Sequence, residues 1–126
     1  MEETAIKPSD TNPADEMILS CMKLAMKLIY HEGDFYPLLY YFDKDDQVVS
    51  STIGDKIRFD ELDQLVKHLA KTEGFEDYTY AFNDPDMSRI ILSVYMRGIQ
   101  YPYQVLDYKF NETGIKFSEL YSEKPK

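Results

Sequence analysis

The chain has 126 residues, a net charge of −9 and one cysteine, Cys21. This length predicts a single domain with a sizeable core, and one cysteine excludes an internal disulfide framework and fits a reducing compartment. The acidic excess argues against nucleic acid and against an anionic membrane surface as partners, because both are polyanions. We therefore expect a soluble, cytoplasmic protein without a membrane span. Its negative electrostatic field would attract a basic partner, although an acidic surface can also serve solubility alone.

The N-terminal part predicts a tail followed by a long helix. Residues 1–12 are polar and are expected to be flexible. Asn12 and Pro13 suit a helix start, and Gly33 suits its end after Glu32. Apolar residues at helical spacing between Met17 and Ile29 predict that this helix either lies deep in the core or also contacts a partner, with a core helix the favoured interpretation.

A first hairpin and a second helix follow. Alternating side chains predict strands over 34–42 and 47–53, joined by an acidic turn at 43–46. Asp60 is the expected N-cap of an amphipathic helix that ends before Gly74. A third strand is expected over 75–83.

The stretch from Asp86 to Phe110 predicts the central hairpin. Ile90, Leu92, Val94 and Met96 share one strand face, and the return strand alternates in the same way. Arg97-Gly98 is the expected turn, and Pro102 is expected at a strand start or an edge. A turn at 111–114 and a short strand over 115–117 complete the domain, which we place at 13–121, with a flexible C-terminus over 122–126.

The expected order is therefore α-β-β-α-β-β-β. Short turns between successive strands indicate a largely antiparallel sheet of five or six strands. Two amphipathic helices suffice to cover one face of such a sheet. We expect a two-layer α+β domain with both helices on the same face.

The sequence contains only weak matches to catalytic, metal-binding and phosphate-binding motifs. The acidic turn opens like a calcium loop, but its sixth and twelfth positions are Val48 and Gly54, which do not fit. Two histidines, His31 and His68, do not make a zinc site, and the glycines do not form a phosphate-binding cluster. We expect no catalytic residue, no cofactor and no metal.

Tyrosine is the unusual feature, with eleven residues and no tryptophan. If both helices cover one face, the other face is open, and tyrosine suits a half-wet surface that binds a partner. The alternative is that these tyrosines only border a core. The candidate partner-binding face consists of Leu39, Tyr41, Ile91, Tyr95, Tyr103 and Val105.

Several short motifs resemble a small bacterial family of α+β domains of unknown function. They are the E-G-x-F-x-P stretch at 32–37, the acidic turn at 43–46, the D-x-x-x-I-x-[LV] strand at 86–92 and the Y-x-F end at 108–110. The resemblance spans about residues 16–121. It implies an α+β domain from a bacterium and transfers no site residue.

Two functions stay open at this point. The first is a non-enzymatic protein-binding domain, such as an immunity-type or accessory factor, which binds a basic protein or a second copy of itself. The second is a small-molecule-binding domain or enzyme with a pocket between helix and sheet. Its candidate polar groups are His31, His68, Arg89 and Arg97.

Overall fold

The computed structural model describes residues 13–54 and 57–124. The predicted N-terminal tail, residues 1–12, lies outside the described residues. Two helices and eight strands make up the described chain, in the order α1 (Pro13–Glu32), β1 (Leu38–Phe42), β2 (Val48–Thr52), α2 (Phe59–Glu73), β3 (Tyr78–Asp84), β4 (Arg89–Met96), β5 (Ile99–Gln100), β6 (Tyr103–Asn111), β7 (Gly114–Phe117) and β8 (Tyr121–Glu123).

The strands form one curled antiparallel sheet in the order β2-β1-β3-β4-β6-β7, with β5 paired to β4 and β8 to β6. The predicted α+β class and antiparallel sheet are confirmed. The strand β3 pairs with β1 on one side and with β4 on the other. The chain therefore leaves β2 at the edge of the sheet and returns through α2 to the far side of β1.

The two helices lie on opposite faces, so the prediction of two layers with both helices on one face is wrong. Met17, Cys21 and Ile29 of α1 pack in one core cluster with Leu38 and Tyr40 of β1. A second core cluster holds Leu62 and Val66 of α2, with Leu39, Tyr80 and Tyr95 of the sheet. Because neighbouring residues of a strand point to opposite faces, the two clusters cover the two sides of the same sheet.

The helix ends follow local signals, with one correction. Gly33 has φ 77°, and its N–H donates to the carbonyl of Ile29 over 2.9 Å, as a left-handed helix cap requires. Gly74 ends α2 in the same way. The N-cap of α2 is Arg58 and not Asp60; the Glu61 carboxylate accepts the Arg58 N–H over 3.3 Å, and Asp60 lies inside the first turn.

The central hairpin is built around Arg97-Gly98, as predicted. Both residues have positive φ, 54° and 77°, which is the signature of a two-residue type I′ turn. The register of β4 shifts by one residue between its pairing with β5 and its pairing with β6. Tyr101 and Pro102 occupy this bulge, where a proline costs no ladder hydrogen bond.

The C-terminal strands extend the domain further than expected. The strand β7 confirms the predicted strand over 115–117. Ser122 and Glu123, predicted to be flexible, instead pair with Gln104 and Tyr103 of β6. Residues 125–126 of the predicted flexible end lie outside the described residues.

Candidate functional site

The candidate partner-binding face does lie on one side of the sheet, but most of it is buried, and α2 packs on Leu39 and Tyr95 there. Leu39, Ile91, Tyr95 and Val105 are all buried. The expectation that this face is open is therefore wrong for these four residues. The remaining two are half-buried. The Tyr41 ring stacks on that of Phe75 with centroids 4.1 Å apart, and the Tyr103 ring contacts that of Phe59 edge-on with centroids 5.3 Å apart.

A hydrogen-bonded cluster lies under α2. The Asp63 carboxylate accepts hydrogen bonds from Tyr80 over 2.6 Å and from Tyr95 over 2.7 Å, and Lys67 Nζ lies 2.8 Å from its second oxygen. Burial alone would raise the pKa of Asp63, but the Lys67, Tyr80 and Tyr95 hydrogen bonds and the Lys67 charge together lower it. Burial and the Asp63 carboxylate raise the pKa of both phenols. The cluster thus holds a fixed carboxylate between hydrogen-bond donors and joins α2 to the sheet.

A cleft of about 480 Å³ opens beside this cluster. Arg89 lines it and lies 3.5 Å from Asp84 and 3.4 Å from Glu123, so its charge is neutralised within the protein. The other candidate polar groups do not converge there. His31 and His68 are exposed on α1 and α2, and Arg97 lies in the β4–β5 turn.

The described part of the chain contains neither an activated cysteine nor a cluster of metal ligands. Burial raises the pKa of the Cys21 thiol to about 12, so the thiolate that reacts is rare at neutral pH. Within residues 13–54 and 57–124, no three His, Cys, Asp or Glu side chains are placed to hold a metal ion. Nor is any helix of these residues long and apolar enough to cross a membrane.

The strand β2 is an edge with unusual properties. It pairs with β1 on one side, and no described strand pairs with its other side. Its sequence, VVSST, carries neither a charge nor a proline, and Val48 is 49% exposed. Soluble proteins usually protect such an edge with a charge, a proline or a bulge, because unpaired backbone groups attract another strand. This edge has none of these protections among the described residues.

Two depressions lie between α1 and β2, and we call them together the β2 trough. The first, of about 480 Å³, lies at the Val48 end. Its lining residues are Glu16, Met17, Ser20, Tyr40, Phe42, Asp46, Gln47 and Val48. The second, of about 460 Å³, lies at the Thr52 end. Its lining residues are Leu28, Glu32, Asp34, Phe35, Tyr36, Leu38 and Thr52.

Every charged residue that lines the β2 trough is acidic: Glu16 and Asp46 at one end, and Glu32 and Asp34 at the other. The side chain of Asp34 is fixed, because its Oδ1 accepts hydrogen bonds from the Asn83 amide over 2.6 Å and from the Phe35 N–H over 2.8 Å. Aromatic and aliphatic side chains form the floor between the acids. The trough therefore combines an apolar floor with negative charge at both ends.

The sequence contains parts of this site but does not show that they meet. The acidic turn at 43–46 and the acids near the end of α1 are visible separately, and Glu16 reads as a residue that favours the start of a helix. The uncharged sequence of β2 is compatible with a strand at the edge of the sheet or with one covered by a neighbour. Only the strand order distinguishes these two positions. Among the described residues β2 pairs with β1 alone, and this arrangement brings the four acids beside the other edge of β2.

Comparisons with known proteins add no family or fold neighbour: no family model, no curated protein and no solved structure matches the chain.

Proposed function

We propose that this chain is a non-enzymatic, acidic protein-binding domain of the immunity or accessory type, which holds a basic, partly apolar segment of a partner protein in the β2 trough. The observation that carries the proposal is the acidic lining of this trough beside an unprotected strand edge. We propose a cytoplasmic location, in keeping with its one buried cysteine and its net charge of −9, and a bacterial source, which only the resemblance of its short motifs implies.

Charge supports a basic partner over a second copy of the chain. Two copies would bring together two surfaces of the same sign, and like charges across an interface oppose association. A partner that carries lysine or arginine would gain attraction at both ends of the trough. The net field would also raise the rate of encounter at low ionic strength.

Selection from a random peptide library on the immobilised full chain tests this proposal. We expect the enriched peptides to carry net positive charge with one or two apolar residues. Their binding should be lost as the salt concentration rises from 50 to about 500 mM, because charges more than a few ångströms apart are then screened. Enrichment of neutral or acidic peptides, or no enrichment at all, would contradict the proposal.

Charge-neutral variants locate the binding. The triple variant Glu16→Gln, Glu32→Gln and Asp46→Asn removes three trough acids that are exposed and leaves the fixed Asp34 in place. At about 0.5 kcal/mol for each exposed ion pair, the selected peptides should bind about tenfold more weakly.

The matched control is the triple variant Glu76→Gln, Asp86→Asn and Glu112→Gln. It changes the net charge equally at exposed positions that line neither depression. Equal weakening by the two triple variants would mean that only the overall field matters.

The cleft beside Asp63 favours the small-molecule alternative, because it lies between a helix and the sheet and contains both signs of charge. A thermal-shift screen of zwitterionic metabolites against the full chain distinguishes this function. Ligand at 100 times its Kd should add about 2.7 kcal/mol to the free energy of unfolding. Stabilisation that disappears in Arg89→Gln but persists in the trough triple variant would favour the cleft.

A further inference from the structure

The backbone geometry of β2 gives the way in which a partner would bind, if the proposed protein-binding function holds. The Asp43 N–H donates to the Gln47 carbonyl over 2.9 Å, and the Ile53 N–H donates to the Pro37 carbonyl over 2.8 Å. These two bonds fix which residues of the β1–β2 ladder exchange hydrogen bonds. Since hydrogen-bonded and non-hydrogen-bonded pairs alternate in an antiparallel ladder, Val49 and Ser51 bond to β1.

It follows that the backbone N–H and C=O groups of Val48, Ser50 and Thr52 point away from β1, toward the free edge. The same three residues pair with Phe42, Tyr40 and Leu38, which belong to the face that α1 covers. Their side chains therefore point toward the β2 trough, and so would those of any residues paired opposite them on an added strand.

We infer that a partner segment adds to β2 as a ninth, antiparallel strand, with basic residues opposite Val48 and Thr52 and a small apolar residue opposite Ser50. Val48 and Thr52 are four residues apart, which is about 13 Å in a strand. A basic side chain opposite Val48 would face the depression with Glu16 and Asp46, and one opposite Thr52 would face the depression with Glu32 and Asp34. The recognised pattern is thus basic-x-apolar-x-basic, read by main-chain hydrogen bonds and by alternate side chains.

An antiparallel direction is favoured by the sheet itself, because all of its described strand pairs are antiparallel. In that arrangement the residue opposite Ser50 exchanges both of its backbone hydrogen bonds with Ser50. Its two neighbours in the segment turn their backbone groups away from β2. This alternation provides a test on the side of the peptide.

The first experiment uses a capped peptide with the central sequence Lys-Thr-Val-Thr-Lys and the full chain. N-methylation of the central Val removes an N–H that faces β2 and should reduce the affinity at least about tenfold, whereas N-methylation of either Thr should change it less than about twofold. A peptide of the same composition with adjacent lysines should bind about two- to fivefold more weakly, because only one lysine then faces the trough and the exposed ion pairs of the other are lost. Equal binding of the methylated peptides would overturn the inference.

The second experiment changes the protein. Ser50→Pro removes one outward N–H without touching the β1 ladder, since proline is tolerated on an edge strand whose N–H faces solvent. Ser50→Ala keeps the N–H and is the matched control. We expect Ser50→Pro to weaken peptide binding at least about tenfold and Ser50→Ala less than about twofold.

The peptide experiment guards against a folding defect in Ser50→Pro, because it uses the unchanged protein. If the affinity depends on the trough acids but is unchanged by Ser50→Pro and by N-methylation, strand addition is overturned and the proposed function is left intact. Failure of every basic peptide to bind would overturn the proposed function itself. A dimer that forms in sedimentation and dissociates in Ser50→Pro would identify a second copy as the occupant and overturn the basic-segment assignment.

Discussion

The Tyr80 hydroxyl donates a hydrogen bond to Asp63 Oδ1 over 2.6 Å, and this contact joins the sheet to the helix that covers it. Tyr80 lies on β3 and is fully buried, while Asp63 lies on α2. The Tyr95 hydroxyl from β4 donates to the same oxygen over 2.7 Å. One carboxylate thus ties together two neighbouring strands and α2.

Removal of this carboxylate should destabilise the fold. In Asp63→Ala, the hydroxyls of Tyr80 and Tyr95 lose their acceptor, and an unsatisfied buried donor costs about 1–3 kcal/mol. We expect the free energy of unfolding to fall by about 3 kcal/mol, measured by urea denaturation followed by circular dichroism. Gln64→Ala, an exposed position on the same helix, is the control and should stay within about 0.5 kcal/mol of the parent. Similar stability of the two variants would contradict the role of Asp63.

The same carboxylate should make the free energy of unfolding depend on pH in the acidic range. The pKa of Asp63 is lowered in the folded state, so its contribution is present above the unfolded pKa, about 3.9, and is lost as the pH falls through the lower folded value. The stability difference between the parent chain and Asp63→Asn should therefore be constant from pH 7 to about pH 5 and shrink below about pH 4. Urea midpoints at pH 7, 5 and 3 measure it. A difference that grows toward pH 3 would mean that the pKa of Asp63 is raised, and not lowered, in the folded state.

Cys21 should be unreactive in the native state. It lies on the core-facing side of α1 and is fully buried, and burial raises the pKa of its thiol to about 12. At pH 8 its alkylation by iodoacetamide should be on the order of a thousandfold slower than in urea, where the thiol pKa is about 8.5. Mass spectrometry assigns the adduct without ambiguity, because the sequence contains no other cysteine. Rapid native labelling would show that the core beneath α1 opens readily.

The turn between β4 and β5 offers a matched pair of glycine substitutions. A Cβ added at Gly98 or at Gly54 meets no heavy atom within 4 Å, but only Gly98 has a positive φ, 77°. Gly98→Ala should therefore lower the free energy of unfolding by about 1–2 kcal/mol through backbone strain alone. Gly54→Ala should leave it unchanged or raise it by a few tenths, about 0.4 kcal/mol, by restricting the unfolded chain. Urea denaturation of both variants checks the difference, and equal effects would contradict it.

Local patterns were sufficient for the elements because the signals for them lie within a few residues. The apolar stripe of α1 and its end at Gly33, the alternation in β4 and the turn at Arg97-Gly98 each appear in the structure where the sequence predicts them. The cap of α2 was misplaced by two residues, because Asp60 is a better capping residue than Arg58 by type, whereas Glu61 caps the backbone from within the helix.

The face that α2 covers was not visible in the sequence, although one signal pointed to it. Both sides of β1 are apolar, with Leu38 and Tyr40 on one side and Leu39 and Tyr41 on the other. This pattern is typical of a strand that is covered on both faces. Tyrosine obscured this signal, because a ring with a hydroxyl suits a wet surface as well as a core in which a carboxylate accepts a hydrogen bond from the hydroxyl.

The sequence by itself determined the class of this domain, its two helices, most of its strands and its acidic character, because periodicity, turn residues and charge are local or summed properties. The tertiary structure alone decided that β3 inserts beside β1, that α2 crosses the face opposite α1, and that β2 remains an edge beside four acids. The physical reason is that strand order and the side of a crossover depend on which distant segments pair, and the residues of a single strand do not specify its neighbour.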